Sequence, residues 1–333
     1  MQWQSAALQR HPAAIRQLLA GFLAQQKTTL LRLVERHYMH SGLTPEFYRV
    51  LAVRRQGHIL RLLGDSALAT GTSSIAIGKG RAATQDSVAI AITDSSSTYG
   101  AKTSANAVAI GYLAVASGQY AAAIGGSSCL ASGTYAVTLG GAGSSATGTY
   151  SGVLFGVGGQ ATGAYSVVIG GCNVISSVNG KIVSGVAGSI SGAIGAAQSG
   201  TLTLVRNTAD NTPTVLTSDY SFPGALNKLV LSSYQSMAVT GRVIAQRKGS
   251  ESTTSTAMWT FNAVIRRGAT AASTALVAAV TPTLIAADAD AAAWTIAVDV
   301  DTTNGALVVT VTGEAGKNIR WVCTLESTET IYA

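Results

Sequence analysis

The sequence predicts a mainly β protein: a β-solenoid of short coils, preceded by an α-helical hairpin and followed by a β-sandwich or jelly-roll-like domain. Three observations predict it. A unit of small residue and bulky aliphatic, followed in most copies by glycine, returns seven times between residues 65 and 175. Apolar residues at helical spacing are confined to residues 1–64, and alternating, β-branched runs begin at Thr201.

The first element is residues 1–64. From Ser5 to Tyr38, the residues Leu8, Ile15, Leu18, Leu19, Phe22, Leu23, Leu30, Leu33 and Val34 recur three and four apart, which predicts an amphipathic helix. "HSGLTPEF" breaks it: Gly42 suits a stop, Thr44 an N-cap and Pro45 the first position of a second helix. The apolar face of that helix would include Phe47, Val50, Leu51 and Leu62. Nine Lys or Arg fall in this segment against Glu35 and Glu46, so all of the +7 excess sits here. The arginines alternate with a full apolar stripe and lack aromatic interleaving, which favours docking on a protein assembly over nucleic acid. Arg32, Arg36, Arg54, Arg55 and Arg61 are the candidate docking residues.

The second element is the repeat, residues 65–175. Its bulky positions are Ile77, Ile90, Ile110, Ile124, Leu139, Leu154 and Ile169, at intervals of 13, 20, 14, 15, 15 and 15. The long interval holds "TDSSSTYG", read as a loop on one coil. Between the ruler residue and its partner two earlier stand Ala76, Ala89, Ala109, Ala123, Thr138, Val153 and Val168, on the opposite strand face. Glycines and "ATG" or "ASG" supply the bends. The expected arrangement places the bulky ladder in the coil core and the small residues on a second face that sister subunits cover. Tyr120, Tyr135, Tyr150 and Tyr165 take one equivalent position in four successive coils, which predicts a stacked ladder at a coil edge or between chains, with sugar-binding platforms as the other reading.

The stretches "SSIAIGKGRAAT", "NAVAIGYLAVASGQYAAAIGG" and "GAYSVVIGG" resemble the head repeats of trimeric autotransporter adhesins, the YadA-like left-handed parallel β-roll. That resemblance implies a homotrimer with three rolls side by side. The chain departs from those adhesins: its start lacks a basic leader region and it closes on "ETIYA" instead of an aromatic-ended anchor.

Residues 176–200 keep glycine but lose the ruler, and are read as a neck or linker. The last element, residues 201–333, carries about eight predicted strands, among them "TLTLVRN", "GRVIAQRKG", "AMWTFNAVIRR", "ALVVTVTG" and "IRWVCTLES", with a turn at Asn304 and Gly305. With its "IRRGAT" and "TGEAGK" stretches, it is similar to a C-terminal β module of fibre and other structural proteins of tailed bacteriophages.

The residues give little for catalysis to use. His11, His37, His40 and His58 all lie before Gly64, leaving no histidine for a triad downstream. Cys129, Cys172 and Cys323 have neither disulfide nor zinc spacing, and "GGAGSSATG" lacks the GKS/T ending of a phosphate loop. Asp288 with Asp290, and Asp299 with Asp301, are read as turn carboxylates, with a divalent ion or glycosidase chemistry as the other reading. Trp259, Trp294 and Trp321 are read as core. No apolar run of 18 residues occurs, so no membrane insertion is expected.

The combined expectation is a non-enzymatic trimeric tail fibre, made in a host cytoplasm without a signal peptide and carried on a phage virion. It needs no cofactor or metal. Its N-terminal helices would bind a baseplate, tail or capsid protein, and its distal domain a host-surface glycan or protein. A bacterial surface adhesin and a polysaccharide-cleaving tailspike are the alternatives.

Overall fold

The computed structural model describes residues 50–55, 58–63, 67–82, 84–91, 101–188, 194–249 and 254–332. The first predicted helix, with Arg32 and Arg36, lies outside the described residues, as does the insertion at 93–100. The second predicted helix is corrected. Val50–Arg55 and His58–Leu63 are strands, paired antiparallel from Val50↔Leu63 to Arg55↔His58. Arg54, Arg55 and Arg61 therefore stand on a β-hairpin. The cause is tertiary: His58–Leu63 lies parallel to Ile75–Gly78, with Arg61↔Ile75 and Leu63↔Ile77, and covers the backbone edge of the first coil. A row of open amides and carbonyls outweighs helical spacing, which is a weak prior.

Each coil supplies two strands. The longer ones form a parallel stack: Ile75–Gly78, Val88–Ala91, Val108–Tyr112, Ala122–Ser127, Val137–Leu139, Gly152–Leu154, Val167–Ile169 and Ile182–Gly185. The shorter ones, two residues each, form an eight-stranded stack from Leu68–Ala69 to Ile175–Ser176. Ile77, Ile90, Ile110, Ile124, Leu139, Leu154 and Ile169 pair position for position along the longer stack, as the ruler predicts.

The inside of the coil is the reverse of the one expected. Ala76, Ala89, Ala109, Ala123, Thr138, Val153 and Val168 are buried, facing Ala82, Ala116, Ala131, Ala146 and Ala161 of the shorter stack. The ladder from Ile77 to Leu154 is half-buried on the outer face, and Ile169 is 47% exposed. Girth explains the reversal. A Cβ on Gly133 would lie 2.1 Å from the carbonyl oxygen of Gly148, and one on Gly148 equally close to that of Gly163, so successive corners meet backbone to backbone. Ser74, Ser87, Ser151 and Ser166 tighten the same corners by donating to the carbonyls of Gly71, Thr84, Gly148 and Gly163, each at 2.7 Å. Coils drawn this close leave room inside only for small side chains: Ala, Ser, Thr, Val and Cys129.

The longer stack continues past the roll. Ile182–Gly185 pairs antiparallel with Ala197–Thr208, which is followed in order by Ile319–Ile331, Gln235–Arg247 and Thr256–Arg266. Residues 176–200 thus include the strand of a last coil and the start of the first long strand. A second sheet of Thr214–Val215, Leu229–Val230, Thr295–Asp301 and Ala306–Thr312 shares one core with the first. Leu204, Met237, Trp259, Phe261, Leu307 and Trp321 belong to it. Asn304 and Gly305 turn the hairpin between its last two strands, with Gly305 at φ 70°. Trp259, Trp294 and Trp321 are buried, and the Trp321 indole donates to Thr208 Oγ1 at 2.9 Å.

A buried ion pair locks the junction. Lys181 stands where earlier coils carry Ser151 and Ser166, and its Nζ lies 2.5 Å from Glu329 Oε1. The two side chains are 4% and 0% exposed. Gln198 and Gln235 donate to the other carboxylate oxygen, and Ser327 to the first. Gly200 makes the space, since a Cβ there would meet Lys181 Cε at 2.7 Å.

Candidate functional site

The turn that enters each long strand holds one residue in the left-handed region. In chain order these are Ser73, Asp86, Asn106, Tyr120, Tyr135, Tyr150, Tyr165 and Gly180. Such a backbone costs roughly 1–2 kcal/mol for a residue with a Cβ, and Asn, Asp and Gly tolerate it best. Four coils nevertheless place tyrosine there. Their rings stack with centroids 4.8, 4.7 and 4.9 Å apart and planes within 12° of parallel, giving the predicted ladder. Stacking of about 0.5–1.5 kcal/mol per pair offsets part of the strain.

Stacking also decides what the ladder offers. The two inner rings, Tyr135 and Tyr150, have both faces covered, present edges and hydroxyls, and are 42% and 47% exposed; Tyr120, at the amino end, is stacked on one face and 44% exposed. A strip of four open platforms is ruled out by this geometry. Tyr165 is 63% exposed, because the next coil carries Gly180 in place of a fifth ring. Around a Cβ built on Gly180 the nearest atom is Ser218 Cβ at 3.9 Å.

Beyond that opening stands the loop Ser218–Asn227, which the sequence reading did not single out. Asn227 Nδ2 donates to Asp219 Oδ1, Ser221 Oγ and the Phe222 carbonyl, and Asn227 Oδ1 accepts from Gly224 N. Asn179 ties the loop to the last coil: its amide donates to the Leu226 carbonyl at 2.8 Å and its side chain to Asp219. Burial pushes the Asp219 carboxyl up, but hydrogen bonds from Ser221, Asn227 and Asn179 outweigh it and hold it below the usual range. Arg206 donates to the carbonyls of Tyr220 and Ser221, with its guanidinium 5.5 Å from the rings of both Tyr220 and Phe222. Phe222 is 85% exposed on this pinned loop. The signal in the sequence was "DYSFPG", two aromatics beside a Pro-Gly turn in a chain with only 6% aromatic residues.

The carboxylate pairs do not converge. Asp288 accepts from the Thr256 amide, and Asp299 from the Val300 amide. Asp290 binds Lys317, Ser255 and Arg247, and these partners, Lys317 foremost, hold it at about 2. Asp301 binds Lys228, Asn304 and the Thr303 amide. Its burial opposes ionisation, yet those donors keep it well below the usual range. Among the described residues, no three His, Cys, Asp or Glu side chains gather as a metal cluster.

The outer face of the long stack is one surface across the junction. Ile182, Thr201, Glu326, Thr240 and Asn262 stand side by side in successive strands. A groove of about 830 Å³ runs over it, bordered by Ile169, Ile182, Val264 and Val277.

No family model matches the chain, and no curated protein does. Among solved structures, it is similar to the tailspike protein gp49 of Acinetobacter baumannii bacteriophage Fri1, a capsular polysaccharide depolymerase. Identity there is 10% over 75% of this chain and 45% of that one, with a TM-score of 0.25. The Acinetobacter baumannii phage AM24 tailspike matches at 8% identity over 76% of this chain and 62% of its own, with a TM-score of 0.22. The Acinetobacter phage vB_ApiP_P1 tailspike matches at 10% identity over 75% and 56%, with a TM-score of 0.19. The chain spans about half the length of these structures. The expectation of a non-enzymatic chain is corrected here: Fri1 gp49 is a depolymerase, and the exclusion of bond-breaking chemistry is withdrawn.

Proposed function

We propose that this chain is the receptor-binding protein of a phage tail, a homotrimer of tailspike type that engages polysaccharide on the host surface. Residues 1–49, with Arg32 and Arg36, dock on a tail, baseplate or capsid protein of the virion. The roll is the spacer, and residues 201–333 with the last coil meet the host. The observation that carries the reading is the outward aliphatic ladder from Ile77 to Ile169, half-buried or exposed along the whole roll. A contiguous apolar face of this extent calls for a partner. Three copies around an axis close it without leaving an open end, and three weak carbohydrate contacts then act together. The repeat's resemblance to trimeric adhesin heads supports the same assembly.

Light scattering on the purified protein is expected to give the mass of three 33.7 kDa chains. Labelled protein is expected to adsorb to encapsulated strains and to lose adsorption to their capsule-free mutants. Halos on a lawn mark cleavage of the bound polymer, and adsorption without halos marks a binding fibre. A monodisperse monomer, or adsorption indifferent to capsule, refutes the reading.

A further inference from the structure

We propose that the open face of Tyr165, at the level of Gly180, is a carbohydrate subsite that takes a single pyranose ring. The inference rests on the polysaccharide reading above and gives it a place on the chain.

The slot has the dimensions of a ring. Rings in the ladder repeat at 4.7–4.9 Å, so the position one step beyond Tyr165 falls at the Gly180 coil, where a side chain is missing. The loop Ser218–Asn227 bounds the far side, held there by Asn179. The loop is fixed before any ligand arrives, so little ordering cost falls on binding.

Its chemistry is amphipathic. The floor is an aromatic face, and the exposed pair of Asn179, next to Gly180 in the chain, and Asp219 stands at the rim. A pyranose presents C–H bonds on its flat face and hydroxyls around its edge, matching such a floor and rim. An apolar ring would cover the exposed Asp219 carboxylate and offer it no donor. Residues of the polymer on either side would then lie along the row of tyrosine hydroxyls.

The test is saturation-transfer NMR of the full chain with methyl β-glucopyranoside, methyl β-galactopyranoside and methyl N-acetyl-β-glucosaminide. Saturation is expected on the C–H protons of one sugar face, and it should fall at least tenfold in Tyr165→Ala. Gly180→Tyr is the decisive variant. Gly180 has φ 75°, close to the 56° of Tyr165, so a fifth ring extends the ladder without harming the fold and fills the slot. It is expected to abolish saturation while keeping the melting temperature, and Tyr120→Ala at the other end is expected to leave saturation unchanged. No saturation of any of the three glycosides, or saturation that survives Gly180→Tyr, overturns the proposal. A changed oligomeric mass in Gly180→Tyr overturns it too, since the slot then belongs to a sister chain. Wild-type adsorption that persists in Gly180→Tyr removes the subsite alone, whereas absence of wild-type adsorption removes the polysaccharide reading itself.

Discussion

Replacing Lys181 with methionine tests whether the roll and the following β domain are one cooperative body. The substitution keeps length and removes the cation, leaving the Glu329 carboxylate, 0% exposed, with only the neutral donors Gln198, Gln235 and Ser327. Stranding one charge of a buried pair costs about 3–5 kcal/mol, against total stabilities of about 5–15 kcal/mol. Glu329→Gln strands the lysine instead, with a cost in the same range. The double variant Lys181→Met/Glu329→Gln buries no charge, and is expected to be more stable than either single variant by at least about 2 kcal/mol. Urea unfolding measures this with two probes: fluorescence of the buried Trp259, Trp294 and Trp321 for the C-terminal core, and tyrosine signals of the stacked ladder for the roll. Both probes should shift to the same midpoint in every variant. The reasoning fails if Lys181→Met costs under about 1 kcal/mol, if the double variant is no better than the worse single, or if one probe moves alone.

Three further outcomes follow from the same structure. Ala123→Leu drives three extra carbons into a coil with no room for them and should cost about 1–3 kcal/mol, whereas Ile124→Ser on the outer face should keep the roll's circular dichroism and lower the oligomeric mass on light scattering. Asp290 has its folded value depressed to about 2 from 3.8, so its contribution is complete above about pH 4 and is lost as pH falls toward 2; the difference in melting temperature between wild type and Asp290→Asn should shrink across that window. Burial holds the Cys323 thiol at about 12 and raises that of Cys129, so both should resist a thiol reagent at pH 8 until denaturant is added, in contrast to the partly exposed Cys172.

Periodicity was the most legible property of this sequence. The ruler residues fix the pairing of every coil because identical units can stack only in register, and the tyrosine ladder follows from the same spacing. Which face turns inward was not legible from periodicity: alternation at Ala76 and Ile77 names two faces without saying which is inside. The usual rule that bulky residues are buried fails here because corners in direct contact leave an interior for small side chains only. The stretch from Val50 to Leu63 carries a helical pattern, and the open edge of the first coil, a feature of the assembled fold, overrides it. Lys181 and Glu329 are separated by most of the C-terminal domain and nothing local marks them as partners. The loop at Phe222 was visible only as aromatics beside a turn; its rigidity comes from Asn179 and Asn227, whose roles appear once the last coil is in place.

The interior column changes size along the roll: Ala76, Ala89, Ala109 and Ala123 give way through Thr138 to Val153, Val168 and Val183. At about 0.8 kcal/mol per buried methylene, each valine rung gains roughly 1.6 kcal/mol over an alanine rung. Rungs that touch only their neighbours can differ in firmness, so this gradient sets a direction for local opening. It is easiest at the alanine rungs of the amino end and hardest at Val183 beside the β domain, short of the global transition that unfolds both together.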